Sequence, residues 1–212
     1  MSIVWIRNDL RLADNPALAS ASEAGPVVPV SLWEPDEEYP WEPGAASRWW
    51  LHHSLSALGT LLAAMGSRLV LRTGPTLKVL RSLVAETGSD AVYWNNRYEP
   101  AVVARDKEIQ RSLEAAGIRV VTFDGALLRA PEDVRTKQDK PYRVFTPYWN
   151  ACKDRDVEPP MPAPASLAPP PKLPTRLKRG PTHSSPVNRA EGVVRPAPSG
   201  VASQPRSRGL GV

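Results

Sequence analysis

The chain has 212 residues, 42% of them hydrophobic, enough for one well-buried domain and a tail. Its formal charge of +5 is unevenly placed: residues 1–158 carry 19 basic against 21 acidic side chains, while residues 159–212 carry 8 against one, Glu191. A high isoelectric point therefore does not mark the folded part as a nucleic-acid binder, and one cysteine, Cys152, excludes an internal disulfide and any multi-cysteine metal site.

Residues 2–6, Ser-Ile-Val-Trp-Ile, are a short apolar run of the kind buried on both faces of a parallel sheet. Arg7, Asp9 and Arg11 break it at once, so it is no signal or membrane segment. Asn15-Pro16 offers an N-cap with proline at the first helical position, and the spacing predicts a helix to about Ala24. A second strand is predicted over 27–32. Leu51, Leu55, Leu58, Leu62 and Met65 recur at steps of three and four, which predicts a second helix from about Ala45 to Gly66 with those residues inward. A third strand over 68–71 and a third helix over 75–87, striped by Leu77, Leu80 and Val84, follow. A fourth strand over 90–94, a fourth helix over 100–116 with Val102, Ile109, Leu113 and Ala116 inward, and a fifth strand over 118–123 complete the series.

Five β-α repeats in about 125 residues imply an α/β fold. The expected form is a doubly wound, five-stranded parallel sheet, Rossmann-like or flavodoxin-like, over residues 1–128. Residues 129–158 read as a connector with a short helix from Phe145. Thirteen of the 24 prolines lie from Pro159 onward, where no periodicity is left. Disorder is expected across 159–212.

A ligand of such a sheet sits beyond the carboxyl ends of the strands. The loop after the first strand has no glycine, which argues against a pyrophosphate-binding dinucleotide enzyme. The loops carry instead aromatics, amides and charges: Trp33, Glu34, Trp41, Asn95, Asn96, Arg97, Tyr98 and Glu99. Arg48, one turn before Leu51, would put a guanidinium near the carboxyl edge, either to meet a flat ring or carboxylate or to tie loops through Glu34 or Glu99. His52 and His53 are adjacent and point to different sides of a helix, so no metal site is expected. Trp49 and Trp50 read as packing residues. No catalytic grouping is expected.

Four segments carry a resemblance. Residues 4–18, Val-Trp-Ile-Arg-Asn-Asp-Leu-Arg-Leu-Ala-Asp-Asn-Pro-Ala-Leu, are the first. Ser47-Arg48-Trp49-Trp50-Leu51, Tyr93-Trp94-Asn95-Asn96-Arg97-Tyr98-Glu99-Pro100 and Pro141-Tyr142-Arg143-Val144-Phe145-Thr146-Pro147-Tyr148-Trp149 follow in order. Together they resemble the amino-terminal domain of the DNA photolyase/cryptochrome family. The resemblance implies a light-harvesting domain that holds an antenna chromophore, a folate or a deazaflavin, in a cleft. It implies Leu32, Trp33, Glu34, Arg48, Asn96, Arg97 and Glu99 as the cleft residues.

In the family the catalytic FAD and the pocket for a pyrimidine dimer of DNA belong to a separate helical domain. The sequence is expected to stop short of it and to be inactive alone as a lyase. No convincing DNA site is read in this chain, no membrane is implied, and a cytoplasmic protein is expected. The antenna loops depart from the family patterns. Folate-binding members commonly carry Asn-Glu where this chain has Ala101-Val102, and deazaflavin-binding members an Asp where it has Arg97. The Arg/Pro/Ser-rich tail reads either as the product of a frameshift or as a naturally short protein's end. A stand-alone domain binding a nucleotide or flavin-like ligand, or a remnant without function, are the competing readings.

Overall fold

The computed structural model describes residues 1–34, 43–129 and 133–171. Five strands alternate with four helices: β1 (Ser2–Trp5), α1 (Pro16–Ala24), β2 (Val27–Trp33), α2 (Ala45–Ala64), β3 (Val70–Thr73), α3 (Thr76–Thr87), β4 (Ala91–Asn95), α4 (Pro100–Glu114) and β5 (Arg119–Phe123). A short helix, α5 (Phe145–Cys152), follows. All strand pairs are parallel, in the order β3-β2-β1-β4-β5. The chain reverses its direction of travel across the sheet between β1 and β4, the switch point where such folds bind ligands.

Alternation along the central strand explains why its sequence is apolar throughout. Ile3 and Trp5 join Val28, Val30, Val92 and Trp94 under Leu80 and Leu83 of α3 and Ile109 and Leu113 of α4. Val4 and Ile6 point the other way, to Ala17, Leu18 and Ala21 of α1 and Leu58 and Leu62 of α2. Each side chain of β1 is thus buried, and period two turns a continuous apolar run into two cores. Trp5 meets Trp94 edge to face, with ring centroids 5.6 Å apart.

The helix signals act as expected at α1, where the Asn15 side chain accepts from the Leu18 N–H at 3.1 Å and Pro16 occupies the first turn. Gly88 ends α3 in the left-handed region at φ 73°. β3 begins two residues later than its apolar text suggests. Ala116 is exposed rather than inward, because α4 ends at Glu114.

The larger difference lies in α2. Of its apolar stripe only Leu58 and Leu62 are buried, while Leu51 and Leu55 are half-buried and residues 45–50 are exposed. Trp49 and Trp50, expected to pack, are 62% and 69% exposed. The helix rests on the sheet by its second half only; its first half walls two cavities.

The Pro-rich stretch expected to be disordered from Pro159 does not behave so where it is described. Residues 159–171 run along the domain without a regular element. Leu167 is 2% exposed in the α1/α2 core, and its N–H donates to the Met65 carbonyl at 3.2 Å. The Asp14 N–H donates to the Met161 carbonyl at 2.7 Å. Prolines leave no hydrophobic period to read, yet they lower the entropy lost on ordering, so a few contacts can anchor the strip. Residues 172–212 lie outside the described part.

Candidate functional site

β1 ends by delivering Arg7 into the interior, an unusual place for a guanidinium. Its Nη1 donates to Asp106 Oδ2 of α4, and its Nη2 to the backbone carbonyl of Asn95 at the end of β4. Arg105 pairs with the other Asp106 oxygen at 2.8 Å. Both guanidiniums lie on the Trp5 ring, their carbons 4.7 and 5.6 Å from its centroid. Burial pushes the Arg7 pKa down, and the Asp106 carboxylate pushes it back up. A guanidinium is basic enough to stay charged against that opposition.

A second polar cluster adjoins the first. Asn95 is 3% exposed, and its Nδ2 donates to Asp9 Oδ2 and, at 2.8 Å, to Asn15 Oδ1. Its Oδ1 accepts from the Ala17 N–H at 3.2 Å. The Arg7 N–H donates to Asp9 Oδ1 at 2.8 Å. Asn95 therefore fixes the loop after β1 and the start of α1 to the end of β4. Gly125 closes over this amide so tightly that a Cβ there would come 2.9 Å from its side chain.

Above these clusters, at the carboxyl ends of β1 and β2, opens a cavity of about 600 Å³. Its apolar walls are Trp5, Leu10, Leu32, Trp33, Trp50 and Leu51. Asn8, Ser31, Glu34, Ser47, Thr76, Arg97 and Arg105 supply polar groups at its edges. That size and mixture suit a ring system of a few fused cycles with hydrogen-bonding edges. A smaller cavity of about 390 Å³ lies between α2 and the β2/β3 edge, sharing Leu32, Trp33 and Leu51 and adding Arg48, His52 and Arg72.

The expected cleft residues divide between these places. Leu32, Trp33, Glu34 and Arg97 line the larger cavity. Arg48 is exposed and lines the smaller one. Asn96 and Glu99 line neither: the Asn96 amide donates to Asp124 at 2.9 Å, and Glu99 pairs with Arg97 at 2.7 Å. The Arg97 guanidinium holds the Glu99 carboxyl below its ordinary pKa. Glu99 is thus one step removed, steadying a residue of the cavity wall. Trp41 lies outside the described residues. Sequence reasoning missed Arg7, Arg105, Ser47, Trp50 and Thr76. The signal for Arg7 was its position directly after a fully buried strand, where a charge must find a partner.

The model of the family described as DNA photolyase matches residues 2–165. The chain belongs to that family. It is 47% identical over 171 residues to the deoxyribodipyrimidine photo-lyase of Agrobacterium fabrum, a match covering 79% of this chain and 35% of that protein. To cryptochrome-2 of Arabidopsis thaliana it is 41% identical over 170 residues, covering 79% and 28%. The structure of a bacterial class III photolyase from Agrobacterium tumefaciens superposes with a TM-score of 0.77 at 45% identity, covering 84% of this chain and 36% of that one. An archaeal photolyase from Sulfolobus tokodaii, described with two FAD molecules, superposes with 0.68 at 30% identity, over 79% and 38%. The chain thus spans about a third of the length of the curated relatives it matches. Photolyase kinship accounts for the parallel sheet and for the order of the four sequence segments. Among the described residues no helix is long and apolar enough to cross a membrane.

Proposed function

We propose that this domain is the light-harvesting part of a photolyase or cryptochrome and holds a flat antenna chromophore in the larger cavity. The observation that carries the reading is that cavity itself: about 600 Å³ beyond the carboxyl ends of β1 and β2 and reaching Arg97 after β4, with Trp33 and Trp50 on its walls and polar groups at its rim. A folate or a deazaflavin is compatible with this donor and acceptor set, and so is a flavin of the kind described with the Sulfolobus tokodaii relative. Bound there, such a group would supply absorption from the near-UV into the blue.

The chain's own residues do the rest. Trp33, Trp50, Leu32 and Leu51 offer apolar contact to ring faces. Ser31, Ser47 and Thr76 offer hydrogen bonds to ring edges, and Arg97, steadied by Glu99, offers charge. Repair of pyrimidine dimers in DNA, the FAD it uses and the DNA itself are proposed for a whole photolyase, with the domain here delivering excitation rather than bonding changes.

Absorbance of the purified chain, before and after incubation with folate, deazaflavin or flavin, tests this. A bound band between the near-UV and the blue, lost in Trp50→Ala, is expected. A bare protein spectrum after incubation with all three would refute the reading, and saturable nucleotide binding with no such band would favour a simple nucleotide-binding domain.

A further inference from the structure

Residues 159–171, Pro-Pro-Met-Pro-Ala-Pro-Ala-Ser-Leu-Ala-Pro-Pro-Pro, contain seven prolines. Each proline fixes its own φ near about −65° and holds the residue before it extended. Most of the strip is thereby restricted to the polyproline-II region, in which the chain turns once in about three residues. Burial along the strip has that period. Pro164 is half-buried and Leu167 and Pro170 are buried, whereas Ala163, Ala165, Ser166, Ala168, Pro169 and Pro171 are exposed. A bend at Ala165 separates the first contact of this face from the other two.

The seat is formed by α1, α2 and the loop before α1. Leu167 joins Ala17, Leu18 and Ala21 of α1 and Leu58 and Leu62 of α2 in one apolar cluster, with Met65 at its margin. The strip's backbone is held at two points. The Leu167 N–H donates to the Met65 carbonyl at 3.2 Å, and the Met161 carbonyl accepts from the Asp14 N–H at 2.7 Å. The side chains of residues 153–163 are exposed, so the grip lies in the second half of the strip and in that one bond of Met161. Apolar contacts at every third residue, a few backbone bonds and a chain already stiff before docking are what recognition of proline-rich peptides requires.

We propose that this α1/α2 face is a recognition surface for a proline-rich segment of the form Leu-x-x-Pro, and that residues 161–170 occupy it in cis as an autoinhibitory ligand. The partner is a protein that presents such a segment in extended form. A helix fits less well, because the Asp14 N–H and the Met65 carbonyl need backbone partners that a helix has already used within itself. The surface is also tied to the larger cavity. Asp14 ends the loop that supplies Asn8 and Leu10 to the cavity wall, and Met65 caps the helix that supplies Ser47, Trp50 and Leu51. A seated segment therefore holds both walls from behind. The proposal requires neither a chromophore nor the antenna reading.

The test uses the full chain without chromophore and a fluorescent peptide with the sequence of residues 159–171, followed by anisotropy. Leu167→Asp in the chain empties the surface, because an apolar core does not hold an unpaired carboxylate. The peptide should bind that variant saturably, and bind the wild-type chain at least about tenfold more weakly, since there the strip competes in cis. Hydrogen exchange of the Asp14 amide, fast in Leu167→Asp, should slow again when the peptide is added. A peptide carrying Leu167→Ala should bind about thirtyfold more weakly than the parent. One carrying Ser166→Ala, on the exposed side, should match it. Leu167→Ala in the chain takes the place of Leu167→Asp if near-UV circular dichroism shows the latter to be misfolded. Absence of saturable binding to the emptied chain, or equal affinity for the wild type, overturns the proposal. So does a Leu167→Ala peptide that binds like the parent, or binding that leaves the Asp14 amide fast. All readouts are taken without chromophore, so the antenna reading stands or falls separately.

Discussion

Asp106→Ala should be among the most damaging single substitutions in the domain, because it strands a charge inside. The Arg7 side chain is 5% exposed and Asp106 11%. With the carboxylate gone, the guanidinium keeps the Asn95 carbonyl and the face of Trp5, but of its counter-charges only the weaker influence of Asp9. Breaking a buried pair from one side typically costs about 3–5 kcal/mol. Arg105, at 21% exposure, can turn its head to water once released, so its share is small. The lower end of the range, about 3 kcal/mol, is therefore expected. Asp106→Asn retains an acceptor for Arg7 and loses only the charge, for about 1.5 kcal/mol. Arg105→Gln leaves the inner pair whole and should cost under about 1 kcal/mol. Urea denaturation at matched m-values measures the series. An Asp106→Ala midpoint close to wild type, or an Arg105→Gln loss as large as that of Asp106→Ala, would refute the idea that the buried charge resides on Arg7.

Three further outcomes are expected. Gly125→Ala should destabilise by about 1–3 kcal/mol in the same assay, because its methyl would collide with the Asn95 side chain and the Pro16 ring, each at 2.9 Å. Asn15→Ala should cost about 1 kcal/mol as a lost N-cap, and more if freeing the Asn95 amide loosens the β1–α1 loop, which hydrogen exchange at Leu18 would report. In an NMR titration the Glu99 carboxyl should lose its charge below the ordinary glutamate value, and Arg97→Gln should bring the midpoint back up. Since that pKa is depressed on folding, the pair's small contribution is present above the unfolded value and fades as pH falls through the folded one.

How far the sequence could be read depended on whether each signal was local. The apolar run of residues 2–6 and the Asn15-Pro16 cap each act within a few residues, and each appears where the text places it. The α2 stripe misled for a physical reason: apolar periodicity shows that a face avoids water, not what it faces. Leu51 and Leu55 satisfy that demand by lining cavities, and Trp50 by lining one while staying largely exposed. The Pro-rich strip held by Leu167 and two backbone hydrogen bonds lacked any period at all, so its anchoring contacts left no trace in composition.

The candidate site was legible at its rim and hidden at its base. Leu32, Trp33, Glu34 and Arg97 follow directly from strand ends, and any reading that places the strands finds them. Arg7 and Asp106 are 99 positions apart and meet only because α4 packs across the sheet from β1. Asp106 interrupts the inward face of α4 between Val102 and Ile109, where an acid looks like an error in a helical stripe. It is the partner that makes a buried Arg7 tolerable. The same pairing holds Arg105 on Trp5 at the cavity wall, so the charge that sequence reasoning passed over also shapes the surface a chromophore would meet. A polar residue inside an apolar stripe is thus a better pointer to this site than any of the exposed charges around it, because burial forces it to have a partner and the partner fixes where the strands end.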